Sequence, residues 1–299
     1  MNIAAPIKRS VPTAVSSEVR RAALRASAAN FHARPRLGPV LTLALFLIFF
    51  LLPIAFLAAL SFKTRDDVLL GQFFTSKPTL DNWSMAFHVI KLTDFINHSL
   101  VIAVASAVLT LAITAPAAYA VARLGYGKFV GSFTLSSYIA PPVVALLPLF
   151  FLMRWLGLLN SIAGMVLVYG IMNIPVAYWL LRGFVARIPA ALDEAAWIDG
   201  ASYLRTFFKI DLPLLSPGLV AAGIVSLILA YNEFLFASLF APGDSVRGLT
   251  VAISLFQGDR FVNFGQMAVA SLAGIAPIYV IAFLFQARLL GGLAAGGVR

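Results

Sequence analysis

The sequence contains no cysteine, so disulfides, thiol catalysis and cysteine-based metal sites are all excluded. Charge is also scarce: Asp, Glu, Lys and Arg make up 11% of the residues, against about 25% in soluble domains. With 61% of its 299 residues hydrophobic, the chain could not cover a soluble surface; a chain that uses lipid as solvent does not need to. Histidine is rare too. His32, His88 and His98 are scattered and no HExxH helix occurs, which argues against a membrane protease or metal enzyme. The only Gly-Lys pair, Gly127-Lys128, precedes Phe129 and therefore builds no phosphate-cradling loop.

What the chain does have is long apolar runs. Six qualify as membrane spans, at Pro39–Leu60, Asn97–Ala122, Val130–Phe151, Leu158–Leu181, Gly218–Ala241 and Met267–Leu289. A β-barrel would show segments of about ten residues alternating with period two, whereas these runs are continuous and about twice that length. The expected fold class is an all-α membrane protein with six transmembrane helices.

The net charge of +10 reads as positive-inside topology rather than nucleic-acid binding. With the N-terminus inside, 15 of the 22 Lys and Arg residues lie in the cytoplasmic segments 1–38, 123–129, 182–217 and the C-terminal tail. Both termini are therefore expected in the cytoplasm. Residues 1–38 form a basic N-terminal tail, 39–290 the transmembrane domain and 291–299 a C-terminal tail. The tail is rich in Arg, Ser and Ala, and the apolar run after it is too long for a signal-peptide core, so the first helix is read as a retained signal-anchor. The tail is expected to lie along anionic lipid headgroups. Outside, 62–95 is a polar loop, and Leu249 to Phe256 is too short to span and suits a re-entrant or interfacial piece.

The loop 182–217 differs from every other. Four of the twelve acids, Asp193, Glu194, Asp199 and Asp211, are concentrated there, interleaved with Arg187, Arg205 and Lys209. Pro189 signals a helix start for Ala190 to Ile198. Gly200 interrupts, a second short helix follows from Ala201 to Ile210 with Ser202 as its cap, and Pro213 and Pro217 punctuate the return to the membrane. At 3.6 residues per turn, Leu204, Phe207 and Phe208 share one face while Arg205 and Lys209 share another. An exposed Phe pair rimmed by charge suits docking into a partner's pocket. It equally suits a helix lying flat on lipid.

The spacing Glu194-Ala195-Ala196, Gly200, Ile210, Leu212-Pro213 resembles the EAA loop of ABC-importer permease subunits at each of its defined positions. Ile188-Pro189, Asp199-Gly200-Ala201-Ser202, Pro175 with Trp179 to Phe184, Tyr231-Asn232-Glu233-Phe234, Thr250-Val251, Pro277 and the Gly-rich end Gly292 to Arg299 are similar to the carbohydrate, maltose-type branch. That branch more often has Trp at the place of Tyr231.

The resemblance implies a type I, maltose-permease-like importer bundle with no catalytic residue, metal or cofactor of its own. ATP and Mg would be bound by two ATP-binding cassette subunits. A sister permease and an extracytoplasmic solute-binding protein would complete the complex, with membrane lipid around it. It further implies that the loop is a coupling helix seated in a groove of the ATPase, with Glu194, Ala195, Ala196, Asp199, Gly200, Leu204, Phe207 and Phe208 as coupling residues. Glu194 is expected to contact the ATPase partner through a charge-assisted bond or to clamp the loop itself. Gly200 is expected to allow the sharp turn.

Within the spans the prominent ionisable residue is Glu233. A carboxylate at mid-membrane costs about 2.5–3.5 kcal/mol on insertion scales, so it should face a cavity or a partner. Two roles stay open for it, lining the solute path or setting bundle geometry through an interhelical bond. Asn232, Tyr231 and Asn173 are further candidates for the path, with Tyr169 and Tyr178. A permease for polyamines or another small solute, or an ion-coupled secondary transporter, is the alternative.

Overall fold

The computed structural model describes residues 37–72, 75, 77–256 and 262–294. The expected N-terminal tail, apart from its last two residues, and the end of the C-terminal tail lie outside the described residues. Two compact units are distinguished, 1–55 and 56–299. In the first, the described residues belong to the helix α1 (Leu37–Ser61), apolar enough to cross a membrane by length and composition.

The second unit is organised on α4 (Leu92–Arg123), preceded by the short helices α2 (Arg65–Leu69) and α3 (Asp81–Ser84), the latter continuing into a π-helical turn at Met85–Val89. The buried residues of α4 include Ser99, Ile102, Ala103, Ser106, Ala107, Thr110, Thr114, Ala115, Ala118 and Tyr119. Their spacing of three, four and one residues makes one stripe, and most are small. Small side chains let helix backbones approach where no hydrophobic driving force separates lipid from protein. Accordingly α4 packs against α7 (Ile162–Met172), α8 (Ile174–Val185) and α11 (Ser216–Tyr231). Thr110 Oγ1 donates to the Gly170 carbonyl of α7 at 2.8 Å, satisfying a hydroxyl inside the bundle.

Among the described residues, three helices are long and apolar enough to span singly, and three more crossings are possible if bent pairs count as one each. The third expected span, Val130–Phe151, is not one rod. It divides into α5 (Lys128–Ile139) and α6 (Pro142–Trp155), bent by 98°. Ala140 and Pro141 each precede a proline and are driven out of the helical region, to ψ 132° and ψ 126°. The fourth span bends by 49° between α7 and α8, where Pro175 occupies the first turn of α8 and has no N–H to give back. The expected span Gly218–Ala241 is also corrected: α11 stops at Tyr231, and α12 (Leu235–Phe240) begins after Asn232, Glu233 and Phe234. The last helix, α14 (Phe264–Ala294), exceeds the expected Met267–Leu289. Before it, α13 (Leu249–Leu255) packs on α4 and α14, and Leu249 N donates to Ser99 Oγ at 2.8 Å.

Between α8 and α11 lie α9 (Ala190–Ile198) and α10 (Tyr203–Thr206). The second short helix does not end at Ile210. It runs on through a π-helical turn, Phe207–Asp211, and Leu212–Leu214, with Pro213 at the start of that last α-helical stretch. This 203–214 segment turns 75° away from α11 and carries Arg205, Lys209 and Asp211. We therefore read it as loop, and α11 with α12 as the fifth crossing.

Candidate functional site

The loop is a two-helix knuckle. Pro189, with φ −60° and ψ 126°, sets the entry to α9, as the sequence predicts. After Asp199, Gly200 takes φ +81°, a left-handed conformation that side chains resist. Ser202 then caps α10 by accepting from Arg205 N at 3.3 Å. Trp197 and Tyr203 pack edge to face across the knuckle at 5.2 Å, fixing the angle between its helices.

Of the sequence-predicted coupling residues, Glu194, Ala195, Asp199 and Gly200 are exposed. Leu204 is 71% exposed and Phe208 59%. Ala196 is buried. Phe207 is a correction to the expected exposed pair: it is 4% exposed and packs on Tyr119 of α4 with ring centroids 5.2 Å apart. The π-helical turn that starts at Phe207 widens the helix and rolls this ring inward, while Phe208 stays outside.

A buried ion pair of the loop was not assigned from the sequence. Asp193, 1% exposed, pairs with Arg123 Nε at 2.8 Å. Arg123 Nη2 also donates to the carbonyls of Val185, at 3.2 Å, and Ile188. Asp211 is wholly buried beside them. Its carboxyl is pushed up to about 7, first by burial and then by the neighbouring Asp193 carboxyl, against the pull of Arg123. The clue in the sequence was an acid directly beside Glu194 in the first turn of α9. Its cation, however, lies 70 residues upstream at the end of another helix, and nothing local announces it.

The candidate path residues have mostly intrachain partners. Glu233 accepts from Tyr169 Oη at 2.7 Å and from the N–H groups of Phe236 (3.0 Å) and Ala237 (3.1 Å), so its carboxylate caps α12. Thr250 Oγ1 donates to the Glu233 carbonyl at 2.8 Å. Tyr231 donates to Gly274 O at 2.8 Å, and Asn173 to Ser226 O at 3.2 Å. The cavity lined by Tyr169, Tyr231, Glu233 and Thr250 holds about 10 Å³, room for at most one water and far too small for a sugar ring. Asn232 is exposed, its amide donating to Ile228 O at 2.9 Å. Tyr178 is 1% exposed and lines a separate cavity of about 600 Å³ with Trp179, Arg182 and Ser132.

The family of binding-protein-dependent transport system inner membrane components matches residues 112–291. The chain is 36% identical to the sulfoquinovosyl glycerol transport system permease protein SmoH of Agrobacterium fabrum, over 83% of this chain and 89% of that one. It is 31% identical to the trehalose/maltose transport system permease protein MalG of Thermococcus litoralis, over 83% and 91%. A solved bacterial ABC transporter involved in import of the acidic polysaccharide alginate shares the fold, with TM-score 0.69 and 21% identity over 84% of this chain and 94% of that one. The apolar bundle, the EAA-spaced knuckle and these likenesses agree: the chain belongs to the family of binding-protein-dependent transport system inner membrane components, as a multi-pass ABC-transporter permease.

Proposed function

We propose that this chain is the permease subunit of an ATP-driven importer for a sugar or sugar-like solute, with hydrolysis performed by partner subunits. The observation that carries this reading is the knuckle itself. Two short helices hinge at a left-handed Gly200, with Leu204 and Phe208 presented to the surface four residues apart on one helix and Glu194 and Asp199 exposed on the segment before it. That arrangement suits insertion of an apolar pair into a groove whose rim reads the charge. Two ATP-binding cassette subunits would grip it, with ATP and Mg bound on them, and the loop would face the cytoplasm. A sister permease completes the pore, because six crossings enclose too little space for alternating access alone. A solute-binding protein delivers the cargo from outside.

The solute class follows relatives whose names specify sulfoquinovosyl glycerol, trehalose and maltose. Asn232 is the path residue left with an open face in this chain. Glu233, Tyr231 and Asn173 serve the wall that supports it.

The test is the ATPase rate of the purified complex with its binding protein, titrated with mono- and disaccharides, polyols and polyamines. A sugar or polyol should stimulate hydrolysis, and Gly200→Val should abolish that stimulation while the chain still inserts. Stimulation by a polyamine alone would overturn the solute class. Uptake that survives ATP depletion and collapses with the ion gradient would overturn the ATP-driven reading.

A further inference from the structure

Arg123 is the last residue of α4, and one guanidinium gathers what the loop needs to keep together. Through Nη2 it holds the end of α8 at Val185 and the corner before Pro189 at Ile188. Through Nε it holds the first turn of α9 at Asp193. Their side chains are 10% and 1% exposed. Asp211, from the π-helical turn after α10, closes the cluster. Among the described residues, Tyr119 of α4 feels the charges of Asp193, Asp211 and Arg123, with Tyr203 of α10 near it.

A buried ion pair is a poor source of net stability, because desolvation offsets the attraction. It is a good source of geometry. The guanidinium is a planar, rigid fork: its two Nη2 hydrogen bonds fix direction as well as distance, and the ion pair at Nε adds a charge contact to the first turn of α9. Breaking such a pair leaves an uncompensated buried charge, so sliding of α9 against α4 is opposed. A loop that merely lay on lipid would have no use for this. Since α4 packs on α7, α8 and α11, whatever is fastened to its end is fastened to the bundle.

We propose that Arg123 and Asp193 are positioning residues that fasten the coupling helix α9 rigidly to the end of α4, and that Asp211 sets the pH range in which this joint holds. The proposal rests on the coupling role given to the loop above. While Asp211 keeps its proton, one cation faces one anion. Once Asp211 ionises, two buried carboxylates compete for Arg123 and repel each other, and the joint loosens. Burial and Asp193 place that change near neutral pH.

The absence of cysteine makes the test direct, because two introduced cysteines are the only labelling sites on this chain, which is labelled before its partners are added. Spin labels at Ala122→Cys on α4 and Ile198→Cys on α9, both at exposed positions, report the distance across the joint. The full chain is measured alone and with its ATPase partners, at pH 6 and pH 8, with ADP and with vanadate-trapped ATP. One narrow distribution is expected at pH 6, with the same mean in both nucleotide states, and Asp193→Asn or Arg123→Gln should at least double its width. The native width should grow at pH 8, and Asp211→Asn should keep it narrow at both. Widths in Asp193→Asn and Arg123→Gln equal to the native one overturn the joint. A native width that ignores pH, or a broadening that survives Asp211→Asn, overturns the part given to Asp211; this arm is readable even where Asp193→Asn fails to insert. Failure of the ATPase to bind the native chain would instead overturn the coupling role and leave the distances readable.

Discussion

Tyr169 and Glu233, 64 residues apart in sequence, are joined by a 2.7 Å hydrogen bond in which the phenol donates to Oε2. The bond ties α7 to the break between α11 and α12. It turns the most prominent intramembrane carboxylate into a strut.

Glu233→Ala should therefore destabilise the chain by about 2 kcal/mol, the scale for losing hydrogen bonds to a charged group. Tyr169→Phe should cost about 1 kcal/mol and leave the KM for the imported solute unchanged. Thermal unfolding in detergent and initial import rates check both. A KM that rises in Tyr169→Phe without loss of stability would return Glu233 to the solute path.

The two phenylalanines of the loop should separate cleanly. Phe207→Ala removes a buried ring packed on Tyr119 and should cost about 3 kcal/mol of stability. Phe208→Ala, at an exposed position, should leave unfolding unchanged and weaken co-purification of the ATPase subunits.

Glycine positions offer a matched pair. A Cβ at Gly164 would lie 2.1 Å from the Leu158 carbonyl oxygen, whereas at Gly183 it meets nothing within 4 Å. Gly164→Ala should cost about 1–3 kcal/mol, as overpacking does. Gly183→Ala, inside α8, should be neutral or gain up to about 1 kcal/mol. Melting of the two variants side by side decides it.

The pH dependence has a defined sign. The Asp211 carboxyl moves from 3.8 up to about 7 on folding, so between those values the folded chain binds more protons than the unfolded one. Stability then falls as pH rises through that window and levels off above it. Asp211→Asn should flatten the melting temperature between pH 5 and pH 8, with its advantage over the native chain greatest at pH 8.

Much of this was legible in the sequence. The apolar runs located the crossings, and Pro189, Gly200 and Ser202 announced the knuckle, because each is a local signal written in backbone preference. The bend at Ala140 was readable in principle from Pro141-Pro142, but the continuity of the apolar run concealed it. The break at Asn232 was concealed by the same continuity: the carboxylate that caps α12 comes from inside the run. Phe207 was misplaced because ideal helical spacing does not foresee a π-helical turn. Arg123 was invisible as a partner of Asp193, since the pairing depends on how α4 meets α9, a tertiary fact.

The length of α4 has a last consequence. Its 32 residues, at about 1.5 Å each, reach about 48 Å, while the oily layer of a bilayer is about 30 Å thick. A rod that long exceeds the layer by about 18 Å, and the apolar run ends at Ala122, which puts Arg123 at the margin of the oil and not in its middle. Span length then lowers the cost of an arginine hub that pairing alone would otherwise have to offset. Thicker bilayers should erode this margin: in vesicles of progressively longer acyl chains, import driven through the hub should decline once the overshoot is used up.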